Sequence, residues 1–173
     1  MYEVTRRIGL DAGHRIPDHG SKCRHIHGHR YEVLATCCSN ELIKAGEQRG
    51  MTIDFGFLKD EMVQEIEKPC DHSLIICADD RLLIERLGVD AEVVEKVRRE
   101  GAGCVTHTAD GMHIYVIDSP PTAENLARHW FHRLAPKVVA RSEGNARLSR
   151  IRVFETPNCY ADYPIGAREA AQV

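Results

Sequence analysis

The feature that most restricts how this chain can fold is the stretch from His14 to Val33, HRIPDHGSKCRHIHGHRYEV. His27 and His29 are separated only by Gly28. Residues two apart on an extended strand project to one face, so this spacing sets both imidazoles side by side if the segment is a strand. His14 follows an earlier stretch, Ile8 to Ala12, and can bring a third nitrogen to the same place. Gly28 removes a side chain beside the cluster and frees the local backbone. Three protein ligands leave a tetrahedral zinc ion with one open position, the arrangement of a catalytic site. Cys23, four residues before His27, offers a thiolate beside such an ion. As a fourth ligand it would instead close the site into a structural one, and spacing alone leaves both arrangements open. His19 and His25 read as ordinary surface histidines.

Composition narrows the classes. A chain of 173 residues suits one domain, here read as 1–173. No run approaches the roughly 18 apolar residues of a membrane span. The start, Met-Tyr-Glu-Val-Thr-Arg-Arg, lacks the apolar region of a signal peptide. The expectation is a cytoplasmic protein with no membrane partner. Seven cysteines, an odd number with no C-x-x-C pair, argue against a disulfide framework and an all-cysteine zinc site. A net charge of −3 argues against a general nucleic-acid surface. Residues 1–30 are nevertheless locally basic, with Arg6, Arg7, Arg15, Lys22, Arg24 and Arg30, which suits a small anionic substrate such as a phosphate ester.

Along the chain, Glu3 to Ala12 alternates loosely and predicts a first strand. His29 to Cys38 alternates more clearly, with Tyr31, Val33, Ala35 and Cys37 continuing the face of His29. Two strands joined by one such loop are expected to pair antiparallel. Glu41 to Gly50 reads as a loop, and Met51-Thr52-Ile53 as a return to the sheet. Asp54 is the expected N-cap of an amphipathic helix carrying Leu58, Met62 and Ile66 and ending near Pro69. Asp71-His72 follows, a pair in which a carboxylate can orient an imidazole for acid–base work. Residues 79–118 form a distinct section: helices over Asp80 to Arg86 and Asp90 to Arg99, then a hairpin around Asp110-Gly111. Thr122 is the expected cap of a further helix with Glu124 in its first turn, stopping at or shortly after Pro136. In the strand Leu148 to Glu155, the carboxylate of Glu155 ends the apolar face of Ile151 and Val153. It is either an exposed strand end or a group awaiting a donor-rich ligand. Tyr160 to Tyr163 reads as a short last strand. The order predicts an α+β fold, an antiparallel β-β-α-α-β-β sheet with helices on one face and an insertion around 79–118.

Several motifs then fall into one known order. The AGHRI around His14, the C-x-x-x-H-G-H of Cys23 to His29, GMTIDFGFLK, Asp71-His72, PTAENLA and the late Glu155-Thr156 together resemble the 6-pyruvoyltetrahydropterin synthase family. Three residues between the cysteine and H-G-H are similar to its bacterial branch, the 6-carboxytetrahydropterin synthases of queuosine biosynthesis. The resemblance implies a tunnelling fold, with sheets joined into a barrel as trimers and two trimers stacked into a hexamer. Active sites between subunits are implied, so that Asp71 and His72 serve a neighbour's Cys23. It also implies His14, His27 and His29 as zinc ligands, Cys23, Asp71 and His72 as a catalytic relay, and Glu155 as anchor of a pterin ring. Thr122 and Glu124 match the start of the family's pocket-lining helix. The implied reaction is zinc-dependent conversion of 7,8-dihydroneopterin triphosphate to 6-carboxy-5,6,7,8-tetrahydropterin, acetaldehyde and triphosphate. A pyruvoyl product, made without side-chain cleavage, is the alternative within the family; a non-catalytic zinc-binding protein of the same fold is the alternative outside it. Three departures touch the surroundings that choose product: the long 79–118 section, Ile75-Ile76 in place of Leu-Asn, and Cys70 in place of Leu.

Overall fold

The structure, a computed structural model, describes residues 1–164; residues 165–173 of the expected domain lie outside the described residues. In chain order the elements are β1 (Tyr2–His14), β2 (His27–Ser39), α1 (Phe55–Met62), α2 (Lys68–Cys70), β3 (Leu74–Cys77), α3 (Arg81–Arg86), α4 (Ala91–Glu100), β4 (Cys104–His107), β5 (His113–Ile117), α5 (Ala123–Arg141), β6 (Arg147–Thr156) and β7 (Cys159–Tyr163). The strands make one sheet, ordered β4-β5-β3-β1-β2-β6-β7.

The long β1–β2 ribbon is the frame. It pairs antiparallel in unbroken register, from Tyr2 opposite Ser39 to His14 opposite His27. Ile8, Leu10, Ala12, Tyr31, Val33 and Ala35 share its buried face. Against that face pack α1 and α5. Asp54 caps α1, its side chain accepting from the Gly56 and Phe57 N–H groups. A π-helical stretch, Val63–Glu67, carries the helix on into α2. Pro69 has no N–H to offer the Glu65 carbonyl, which accepts from Arg133 Nε at 3.2 Å instead. Thr122 Oγ1 accepts from the Asn125 N–H and starts α5, whose Leu126, Trp130 and Leu134 are fully buried. That helix runs past Pro136 to Arg141, because a proline costs it one hydrogen bond while Val138, in the next turn, stays fully buried.

Three local expectations change. The sheet is mixed rather than wholly antiparallel: β1, β2, β6 and β7 pair antiparallel as expected, but β1–β3 and β3–β5 are parallel. Parallel neighbours need a long crossover, and the 79–118 section supplies it between β3 and β5. Helices also occupy both faces at that end. Ile75, Tyr115 and Ile117 join the core under α1 and α5, whereas their alternating neighbours Ile76, Ile114 and Val116 pack with Leu83, Val94 and Val97 of the inserted helices. Burial on both faces explains the continuous apolar runs of β3 and β5. Finally, Met51 to Ile53 does not return to the sheet. Its backbone bonds locally instead, the Met51 carbonyl accepting from the Ile43 N–H and the Met51 N–H donating to the Gln48 carbonyl, while Asn145 Nδ2 donates to the Thr52 carbonyl.

One buried pair ties this crossover to α5. The Tyr115 hydroxyl and His129 Nε2 lie 2.8 Å apart. Gly103 leaves them room, since a Cβ there would stand 2.1 Å from the Tyr115 oxygen. Burial, then the charge of Arg133, pushes His129 down to about 4 from 6.5. The unfolded chain therefore binds a proton at this imidazole where the folded chain resists it. His129 costs no stability above its unfolded pKa. As pH falls from about 6.5 toward 4, stability drops by up to roughly 3 kcal/mol. Urea denaturation across that range should show the loss, and His129→Gln should flatten the slope.

Candidate metal centre and substrate cleft

His29, one step beyond Tyr31, and the facing pair His14 and His27, two steps beyond it, extend the buried rows of β1 and β2. The Tyr31 ring supports them from below, its centroid 5.9 Å from that of His14 and 5.5 Å from that of His29. Their ligand nitrogens all lie within 4.8 Å of one another. His14 Nδ1 is 2.7 Å from the Pro121 carbonyl oxygen and His27 Nδ1 is 2.8 Å from that of His25. A carbonyl only accepts, so both Nδ1 atoms carry the proton in the neutral rings and both Nε2 atoms present lone pairs. Those two Nε2 atoms face each other at 3.1 Å. Such an arrangement is repulsive unless a cation sits between them. A small tetrahedral metal ion, with bonds of about 2.0–2.1 Å, places ligand nitrogens about 3.3 Å apart, so the donor set fits one. Burial, reinforced by His27 and His29, lowers His14 to about 4 against the opposing Pro121 bond. Burial and then His27 also lower His29. Both shifts favour the neutral ring that a metal requires.

Beside His14 opens a cleft of about 230 Å3 that brings together Cys23, Thr122, Glu124 and Glu155. A larger cavity of about 550 Å3, bordered by Glu65, Arg128, His132 and Arg133, contains none of the expected site residues. Glu155 reaches the first cleft where β6 and β7 slip register between Phe154 and Thr156, a bulge of the kind that re-aims a side chain. Burial, then Glu124, raises its carboxyl above the ordinary range, while His27 and the Ala123 N–H pull it back. Ala123 opens α5, so the carboxylate also meets the positive end of that helix. The Thr122 hydroxyl is committed to capping, leaving Glu124 as the free polar group of that turn.

His72 borders a different cleft, with His29, Asp11 and Ser73 but without Cys23, and Asp71 stands behind it, bonded to His72 and to the Asp11 backbone. Asp71 Oδ1 accepts from the Asp11 N–H at 2.9 Å, and Oδ2 is 2.9 Å from His72 Nδ1. Burial alone would raise the Asp71 carboxyl; the Asp11 N–H, His72 and Arg30 outweigh it and hold the group below the usual range. His72 adopts φ +56°, uncommon for a side chain of its size, and its N–H donates to the Asp11 carbonyl at 2.7 Å. Its ring is 79% exposed.

Cys159 and Tyr160, which carry no local signal of a site, line the Cys23 cleft together with His19, which is exposed as expected of a surface histidine. Only the folding back of the β6–β7 hairpin places the first two there. His25 contributes its carbonyl alone. The substitutions at Cys70, Ile75 and Ile76 lie in the core, 0–1% exposed, and border neither cleft.

A three-histidine cluster able to hold a metal ion opens, at one end of a mixed sheet, on a cleft of small-molecule size with a thiol and carboxylates. Residues 3–165 match the 6-pyruvoyl tetrahydropterin synthase family, and the chain belongs to it. A 6-carboxy-5,6,7,8-tetrahydropterin synthase of Rickettsia felis is 35% identical over 162 residues, spanning 94% of this chain and 99% of the relative. One from Haemophilus influenzae is 29% identical over 163 residues with the same shares. Among solved structures, an uncharacterized Wolinella succinogenes protein superposes at TM-score 0.67 with 21% identity, covering 93% of this chain and 96% of that one. The Caenorhabditis elegans 6-pyruvoyl tetrahydropterin synthase does so at 0.56 with 20% identity, covering 95% and 96%. The expected tunnelling fold is thus the fold of this chain. No helix among the described residues is long and apolar enough to cross a membrane.

If the three imidazoles hold a divalent metal ion, His27→Ala or His29→Ala should each reduce bound metal to near zero while far-ultraviolet circular dichroism stays unchanged. Metal analysis of the purified variants checks this. His14→Ala should also lower the melting temperature, because that ring is buried and holds the Pro121 carbonyl.

Proposed function

We propose that this chain converts 7,8-dihydroneopterin triphosphate to 6-carboxy-5,6,7,8-tetrahydropterin, acetaldehyde and triphosphate, a step of queuosine biosynthesis in the cytoplasm. It is an enzyme of its family, of the lyase type, and the names of its relatives support this branch. The observation that carries the reading is the convergence of His14, Cys23 and Glu155 on one cleft. Zinc binding alone requires neither the thiol nor the carboxylate.

His14, His27 and His29 would hold zinc, which when bound supplies Lewis-acid polarisation of the substrate's side-chain hydroxyls. Cys23, as thiolate, takes a proton from the side chain. Glu155 accepts bidentately from the pterin amino group and the neighbouring ring N–H, and its half-buried setting strengthens that recognition. Thr122 and Glu124 shape the mouth. Asp71 orients His72 for proton transfer. His72 and Cys23 border separate clefts of one chain, which supports a relay completed between neighbouring chains. The family's hexamer, two stacked trimers, provides such neighbours. Among the described residues, β4 and β7 are the edge strands of the sheet, where a neighbouring sheet could join.

The reaction is tested by mass spectrometry of the products from zinc-loaded protein and dihydroneopterin triphosphate. A carboxytetrahydropterin with acetaldehyde is expected; a pyruvoyl product would assign the chain to the other branch. Cys23→Ala should keep its zinc and lose roughly a hundredfold or more in turnover, and loss of zinc would instead make Cys23 a ligand. Glu155→Gln should raise KM about tenfold or more, with zinc content and oligomer size held.

A further inference from the structure

The loop joining β1 to β2, residues 15–26, carries Cys23 yet buries none of its side chains fully; Ile16, Pro17 and Cys23 are half-buried and most others exposed. Hydrophobic packing therefore does little to place it. The loop is closed on itself by the Ile16 N–H, which donates to the Cys23 carbonyl at 2.8 Å. Among the described residues, its hydrogen-bonded tie to segments beyond the β1–β2 ribbon is Arg15. Arg15 Nε donates to Asp80 Oδ2 at 2.6 Å and Nη2 to Oδ1 at 2.8 Å, a charge-assisted fork. Its Nη1 turns back to the Arg24 carbonyl, next to Cys23, at 3.5 Å. The side chains are 15% and 2% exposed.

Asp80 is itself held firmly. Its N–H donates to the Cys77 carbonyl at the end of β3, and Oδ1 caps α3 by accepting from the Leu83 N–H. One carboxylate thus connects the Cys23 loop to the section 79–118, whose helices are anchored on the second face of the sheet. Neither Arg15 nor Asp80 lines the Cys23 cleft.

We propose that the Arg15–Asp80 fork positions the Cys23 loop beside the histidine triad, and that this is how the 79–118 section acts on the reaction. The inference rests on Cys23 being the proton-transferring thiol. Arg15 and Asp80 are positioning residues, acting through the loop. A planar guanidinium on a fixed carboxylate admits one orientation, which a lysine ammonium does not reproduce.

Asp80→Asn removes the charge and keeps the α3 cap, since asparagine caps as well as aspartate; Arg15→Lys keeps the charge and removes the fork. Two readouts are compared with the unaltered protein. The first is kcat and KM of the zinc-loaded enzyme with dihydroneopterin triphosphate, with zinc content measured on the same samples. The second is the iodoacetamide alkylation rate of Cys23 in zinc-free protein, followed by peptide mass spectrometry. Exposed Cys159, across the same cleft but held by β6 pairing rather than by the loop, serves as internal reference. With Asp80→Asn, kcat should fall roughly ten- to a hundredfold, KM should change far less, and zinc content should hold. Cys23 alkylation should change severalfold relative to Cys159. Arg15→Lys should move both readouts the same way. Unchanged Cys23 alkylation overturns the proposal, with or without a loss of kcat, and so does an equal change at both cysteines, which would mean general loosening. Should the unaltered protein fail to turn over this substrate, the alkylation ratio still decides the positioning role, and only the proposed reaction falls.

Discussion

The unbroken register of β1 against β2 is the constraint on which the rest of the molecule depends. It sets His14 opposite His27 and Ala12 opposite His29, so three imidazoles share the face that Ile8, Leu10, Tyr31 and Val33 bury. Strand side chains alternate with a period of two, and a slip of one residue would turn the histidines to the polar face with Arg7, Glu32 and Arg30. The same pairing that builds the core thereby builds the histidine triad. Carbonyls of Pro121 and His25 then fix the tautomers, so that nitrogen lone pairs converge where a cation would sit.

Around that ribbon the molecule divides its work. On one face α1 and α5 supply a core of Leu58, Met62, Leu126, Trp130 and Leu134. The beginning of α5 also borders the cleft, so the helix that packs the core delivers Thr122 and Glu124 to the site. On the other face α3 and α4 form a second, smaller core with β3 and β5. That core borders neither the Cys23 cleft nor the His72 cleft, and the Asp80 carboxylate connects it to the loop that carries Cys23.

Electrostatics at the site follows burial. The same removal from water that keeps His14 neutral raises Glu155. Asp71 responds in the opposite direction, because hydrogen-bond donors and cations around it outweigh its partial burial. A carboxylate held ionised beside an exposed imidazole suits proton exchange at an open edge, while a half-buried carboxyl suits recognition of a ligand rich in N–H groups.

Much of this was legible along the chain. H-G-H on an alternating strand, Asp54 and Thr122 before amphipathic runs, and Asp110-Gly111 between β-rich segments are local signals, because caps, turns and strand faces are decided by neighbours in sequence. Motif order carried the family and thereby the tunnelling fold. Tertiary structure alone decided what depends on distant segments meeting. It made β3 and β5 parallel members of the sheet and sent α3 and α4 to the opposite face, since an apolar run such as Leu74 to Cys77 does not say what covers each side. It brought Cys159 and Tyr160 to the Cys23 cleft and set Asp71 and His72 outside it. Arg15 and Asp80, far apart in sequence, became a buried pair for the same reason: ion pairs form through space, and no local periodicity announces them.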